Sequence, residues 1–179
     1  MPYTVCLGFD ENTQKALEGL WSRLSDLGIS DFVHIEKSVP HMTMAHYDNL
    51  DLEQVVPRLR TFAGRMACLN VKLRHVGLIA VEKGVVYISP VVTHSLLEIH
   101  AMYHEMMADL ARPSRSYDEV DNWDPHVTIA LGMGDDDAHR VLGIAAKIWQ
   151  PVKGQIDHLL LIEFKPHGPS HIVQSFPLM

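Results

Sequence analysis

The sequence predicts an α+β fold that fits two βαβ-plus-hairpin units packed together. Three observations carry the prediction. Extended segments alternate with stretches of helical periodicity, giving four amphipathic helices and roughly seven or eight strands. Adjacent strands in each half are close enough in sequence to form hairpins. One hexad occurs twice, as PHMTMA at 40–45 and PHVTIA at 125–130. The 179 residues suffice for one large domain or two small lobes sharing a core.

Taken in order, Tyr3–Phe9 is a short apolar-rich strand, and Asp10 or Asn12 caps the helix that follows. Leu17, Leu20, Trp21, Leu24 and Leu27 form its apolar stripe, and Gly28 stops it. Phe32–Ile35 reads as a short extended piece before Ser38 and Val39 lead into the first hexad. His46-Tyr47-Asp48-Asn49 reads as a turn, and Asp51 with Gln54 as a capping pair. Val55, Val56, Leu59, Phe62, Ala63 and Met66 continue the helical pattern, with Pro57 either kinking the helix or marking its first turn. Leu69–Leu73 and Val76–Val81 are extended, Glu82-Lys83-Gly84 is a tight turn, and Val85–Ser89 returns.

In the second half Thr93 caps a helix whose stripe is Leu96, Ile99, Tyr103, Met106 and Leu110. A polar loop from Arg112 to Asp124 delivers the chain to the second hexad, and Gly132-Met133-Gly134 ends its strand. Asp135–Asp137 put negative charge at a helix start, with Ala138, Val141, Leu142, Ala145, Ile148 and Trp149 as the buried stripe. Those three aspartates lack the ligand spacing of a calcium loop. Gln155–Phe164 is the longest extended stretch, Lys165–Ser170 a turn, and Ile172–Phe176 the last strand.

Composition narrows the function classes. Asp and Glu outnumber Lys and Arg by 22 to 15, which argues against broad, non-specific nucleic-acid binding but leaves room for a pocket gripping one phosphate. Two cysteines, Cys6 and Cys68, suggest neither a disulfide framework nor a thiolate metal site. No apolar run of spanning length and no charged leader before an apolar core is evident, so no membrane association and a cytoplasmic location are expected.

The hexads carry the chemistry. Pro40/Pro125, His41/His126, Thr43/Thr128 and Ala45/Ala130 are identical, while Met42/Val127 and Met44/Ile129 stay apolar. On a strand, residues two apart share a face. Each copy therefore mounts His and Thr side by side on one face and buries two apolar residues on the other. Imidazoles shuttle protons near neutral pH, and a hydroxyl donates to an oxyanion. Two such strands facing each other would give a cleft suited to phosphoryl chemistry. Competing accounts are a zinc site on His41 and His126 with His46, His34 or Asp124, and a purely structural role for both pairs. A serine or cysteine nucleophile lacks its elbow motif.

His41-x-Thr43-apolar and His126-x-Thr128-apolar, 85 residues apart, resemble the signature of the two-histidine phosphoesterases. These include the bacterial RNA 2′,3′-cyclic phosphodiesterases, also called RNA 2′-5′ ligases. The resemblance covers most of the chain. It implies a single bilobal domain over 1–179, with two ferredoxin-like β/α lobes around a pseudo-two-fold cleft. His41, Thr43, His126 and Thr128 would be the catalytic residues, with no metal and no cofactor. The implied reaction is opening of 2′,3′-cyclic phosphates on nucleotides or RNA ends. Transesterification at 2′-5′ linkages, or a phosphate-ester or RNA-end binding module with little turnover, are the alternatives. The implied partner is a small phosphodiester or an RNA terminus, with no obligate protein partner. Resemblance to the bacterial hydrolases makes His41 the acid and His126 the base. Many bacterial members carry arginine directly after the second motif; here that position is Leu131, with Lys37, Arg115 and Lys165 as possible replacements. Tyr47, Tyr87 and Trp123 are candidates for stacking on a base.

Overall fold

The computed structural model describes residues 2–29, 39–79, 84–164 and 170–179. The strands are β1 (Tyr3–Phe9), β2 (His41–Tyr47), β3 (Leu69–Ile79), β4 (Gly84–Pro90), β5 (Val127–Met133), β6 (Val152–Glu163) and β7 (His171–Pro177). The helices are α1 (Glu11–Asp26), α2 (Leu52–Ala63), α3 (His94–Met107) and α4 (Asp135–Ile148), with a short 3₁₀ turn at Ser116–Asp118. The strand order is β2-β1-β6-β3-β4-β5, with β7 also on β6.

The long strand β6 joins the two lobes. It pairs with β1 over Ile156–Glu163 on one edge. Its other edge is shared, Val152–Ile156 pairing with β3 and His158–Glu163 with β7. Lobe one is thus β2-β1-β6-β7, and lobe two is the first half of β6 with β3, β4 and β5. Helices α2 and α3 pack together, with α2 against β6 and β7; α1 and α4 pack together, with α4 against β3, β4 and β5. The two motif strands, β2 and β5, end the strand order yet touch each other, so the sheet folds round to bring its ends together. This two-lobed architecture is the one the resemblance implied.

Local chemistry explains most boundaries. Asp10 caps α1, its Oδ1 accepting from the N–H groups of Asn12 and Thr13 at 3.0 and 3.1 Å. Thr93 caps α3 through the Leu96 N–H at 3.2 Å. Asp51 caps α2 from the Glu53 N–H, and Gln54 Nε2 donates to its other oxygen at 2.6 Å. Pro57 lies inside α2, whose stripe of Val55, Leu59, Phe62 and Ala63 is buried.

The structure corrects several sequence-based expectations. Leu27 lies beyond the end of α1 and is exposed. His46 and Tyr47 continue β2 rather than turning, because Tyr47 is buried and its hydroxyl bonds that of Tyr103 at 2.7 Å. The two strands expected at 69–73 and 76–81 are one strand as far as Ile79, with a register shift between Leu73 and His75. Met107, not Met106, is the buried methionine of α3. The expected extended piece at Phe32–Ile35, the turn residues Glu82 and Lys83, and most of the 165–170 turn lie outside the described residues.

Candidate functional site

Along β2, His41 and Thr43 are half-buried while Met42 and Met44 are fully buried; along the second motif His126 and Thr128 are half-buried while Val127 and Ile129 are buried. The alternation expected of a strand with one packed face is present in both copies.

The lobes then match in detail. In β2, Thr43 pairs with Cys6 and Ala45 with Val5, so Met44 is an inserted residue. In β5, Thr128 pairs with Tyr87 and Ala130 with Val86, so Ile129 is inserted. Each motif therefore carries a β-bulge directly after its threonine, a device that twists a strand and re-aims its side chains. A bulge also disturbs the ladder near its carbonyls, which need donors when buried. Trp123 Nε1 donates to the Thr43 carbonyl at 2.8 Å, and Trp21 Nε1 donates to the Thr128 carbonyl at 3.2 Å. The Met44 carbonyl, next along the first bulge, lies 3.2 Å from His100 Nε2.

The histidines are held alike. His41 Nδ1 bonds the Val39 carbonyl at 2.7 Å, and His126 Nδ1 bonds the Asp124 carbonyl at 2.7 Å. A carbonyl oxygen only accepts, so Nδ1 carries the proton in both rings. In a neutral ring this leaves Nε2 as the basic atom. Burial lowers the His41 pKa, the Val39 carbonyl opposes that shift, and the charges of His46 and His126 lower it further. His41 and His126 thus feel each other across the contact between β2 and β5.

Neighbouring groups complete the face. Thr43 Oγ1 lies 3.9 Å from Cys6 Sγ, and burial pushes that thiol far up. Gly8 pairs with His41 on one side and His158 on the other. A Cβ at Gly8 would lie 2.1 Å from His158 Nε2, so the imidazole of His158 lies over that glycine in the same row as His41. Tyr87 sits beside His126, with ring centroids 5.2 Å apart.

Of the aromatic candidates, Tyr47 is buried, with burial pushing its pKa up to about 12, and Trp123 stacks on His100 with centroids 4.0 Å apart. Both are structural in this arrangement; Tyr87 is the one the structure places beside a motif histidine. Among the described residues no group of three or more His, Cys, Asp or Glu is arranged to hold a metal ion, so the zinc account on His41 and His126 with His46 or Asp124 does not form. His34, Lys37 and Lys165 lie outside the described residues, and Arg115 is exposed. The tryptophan clamps and the positions of His158 and His46 were missed by sequence reasoning. The contrast between His46 and Leu131, each directly after its hexad, was the available signal. No helix among the described residues is long and apolar enough to cross a membrane.

No curated protein matches the sequence. Solved structures match over nearly the whole chain at low identity. TT0787 of Thermus thermophilus has a TM-score of 0.63 at 16% identity, covering 99% of this chain and 98% of its own. Apo E. coli LigT has a TM-score of 0.66 at 13% identity, covering 99% and 97%. Kluyveromyces marxianus Usb1 has a TM-score of 0.51 at 10% identity, covering 99% and 98%. These likenesses establish the fold. The family model described as the 2′-5′ RNA ligase superfamily matches residues 10–168, most of the chain and both motifs. The chain therefore belongs to the 2′-5′ RNA ligase superfamily, the two-histidine phosphoesterases, and is an enzyme of that phosphoesterase and ligase type.

Proposed function

We propose that this chain, as one bilobal unit over 1–179, opens 2′,3′-cyclic phosphates on nucleotides or RNA ends without a metal, using His41 and His126 as its acid–base pair. The observation that carries the reading is the matched anchoring of the two imidazoles: each Nδ1 is fixed on the carbonyl two residues back, on strands that meet. Solved complexes of E. coli LigT with 3′-AMP, with ATP and with phosphate support a phosphate-bearing ligand for this chain.

The step balances with two protons. A neutral imidazole takes a proton from water as the water oxygen bonds to phosphorus. The protonated imidazole opposite gives its proton to the departing ribose oxygen as the P–O bond breaks. The product is a phosphomonoester beside a free hydroxyl, and the histidines exchange protonation states. Thr43 and Thr128 donate to the non-bridging oxygens, where charge builds in the transition state. The lowered pKa of His41 favours its neutral form, which supports His41 as base and His126 as acid, the reverse of what the bacterial resemblance implies.

The superfamily's description favours one second reading: a ribose hydroxyl replaces water, and the same pair runs 2′-5′ transesterification. A cytoplasmic location belongs to the proposal, supported by the two free cysteines. The test is turnover of 2′,3′-cyclic nucleotides in excess chelator. Retained activity, abolished by either His41→Ala or His126→Ala, is the expected result. Activity lost to chelator and restored by zinc overturns the metal-free mechanism, and ligand binding without turnover favours the binding module.

A further inference from the structure

The two lobes agree through both hexads and part at the next residue, which is His46 in β2 and Leu131 in β5. The registers make these positions equivalent: beyond each bulge, Ala45 pairs with Val5 and His46 with Thr4, while Ala130 pairs with Val86 and Leu131 with Val85. Thr4 shares the face of Cys6 and Gly8 on β1, so His46 shares the face of Thr43 and His41. His46 is near enough for its charge to lower the His41 pKa.

His46 is also held by a side-chain contact that strand pairing does not require. Asp118, 2% exposed, accepts from both the His46 main-chain N–H and its Nδ1, each at 2.8 Å, through one oxygen. A buried carboxylate accepting from Nδ1–H fixes the ring and turns Nε2 away from itself. The His46 side chain is still about one-third exposed, at 32%. Across the strand, the hydroxyl of Thr4 is buried and has no hydrogen-bond partner among the described residues. In lobe two the equivalent site offers only Leu131, half exposed and without any polar group.

We propose that His46, oriented by Asp118, binds the substrate's phosphate through Nε2–H, so that lobe one adds a phosphate contact beyond its threonine where Leu131 supplies none in lobe two. This rests on the reading of the cleft as a phosphodiesterase site. Asp118 is a positioning residue, acting through His46.

The experiment compares His46→Asn, Asp118→Asn, Leu131→Arg and the double variant His46→Asn/Leu131→Arg. Asparagine keeps a donor near the Nδ1 position for Asp118 while removing the Nε2 end. Two quantities are read: KM and kcat for a 2′,3′-cyclic nucleotide, and Kd for inorganic phosphate by calorimetry, with thermal melts confirming folding. His46→Asn raises KM and the phosphate Kd by about tenfold or more, the scale of one charge-assisted hydrogen bond, with a much smaller change in kcat. Leu131→Arg recovers most of the loss in the double variant, because it places a cation at the equivalent position. Asp118→Asn weakens phosphate binding less than His46→Asn does. Unchanged phosphate Kd in folded His46→Asn overturns the proposal, and so does an equal fall in kcat with KM constant. If the unaltered protein turns over no cyclic phosphate, the reading of the site has failed, and the phosphate Kd of His46→Asn still decides the role of His46.

Discussion

At each motif histidine the atom that matters is Nε2, because Nδ1 already donates to the main chain two residues back. Fixing one ring nitrogen sets both tautomer and aim, and this pre-organisation is required for proton transfer in a closed geometry. Burial depresses the pKa of His41, the Val39 carbonyl opposes that shift, and the charges of His46 and His126 lower it further, favouring the neutral form a base needs. A chemical test separates the roles. A phosphodiester with a nitrophenolate leaving group needs no proton from the enzyme, so the variant lacking the acid keeps activity on it. His126→Ala is expected to recover activity on that substrate by about a hundredfold or more relative to the cyclic nucleotide, the scale of a general-acid contribution, while His41→Ala stays inactive on both. The opposite pattern assigns the acid to His41. The identity of these residues was legible in the sequence because the hexad is doubled. The lowered pKa of His41 was not, since burial depends on what the folded chain lays over the ring.

Among the elements, the motif strands depend on their bulges. The inserted Met44 and Ile129 point into the core, and the adjacent threonine carbonyls are taken by indole N–H groups. Removing the donor while keeping an aromatic ring leaves a part-buried carbonyl unsatisfied, a loss of about 1–3 kcal/mol. Trp123→Phe is therefore expected to lower the unfolding free energy in urea by that amount. Trp21→Phe loses less, as its bond is the longer of the two at 3.2 Å. Unaltered urea midpoints in both variants would show that the clamps add nothing to stability. Neither clamp was visible beforehand, because Trp21 lies on a helix 107 positions from Thr128 and reads only as part of an apolar stripe. Bulges hide for a related reason: the apolar run Met44-Ala45 is compatible with a regular strand until register is known. The misread turn at His46-Tyr47 has the same origin, since polar letters there sit in a strand whose tyrosine is buried against Tyr103.

Across the whole molecule, alternating periodicities gave the correct class and nearly every element, whereas the joining of two lobes through one long strand came only from pairing. Nothing in the composition of Val152–Glu163 says that one edge serves two neighbours. Stability against acid is a property at this scale. His100 is 2% exposed, and burial, with the neighbouring His104, lowers its pKa from 6.5 to about 4, partly opposed by the Met44 carbonyl and Asp118. The unfolded chain takes up a proton that the native state refuses, so stability is full above about pH 6.5 and falls as the pH drops towards 4. The contribution lost is on the order of 3 kcal/mol. His41 and His104 shift in the same direction, each mainly through burial. Urea midpoints measured from neutral pH downward are expected to decline across this window, with a shallower decline in His100→Gln. An identical slope in that variant would place the acid sensitivity elsewhere.

The central claim is that two imidazoles from two lobes act on one phosphate. A crystal structure of the protein grown with inorganic phosphate tests it most directly. The account predicts one anion between β2 and β5, with His41 Nε2 and His126 Nε2 within hydrogen-bonding reach of its oxygens from opposite sides and the hydroxyls of Thr43 and Thr128 donating to it. An anion bound by only one of the two histidines, or a cleft that stays empty while phosphate occupies another face at saturating concentration, would contradict it.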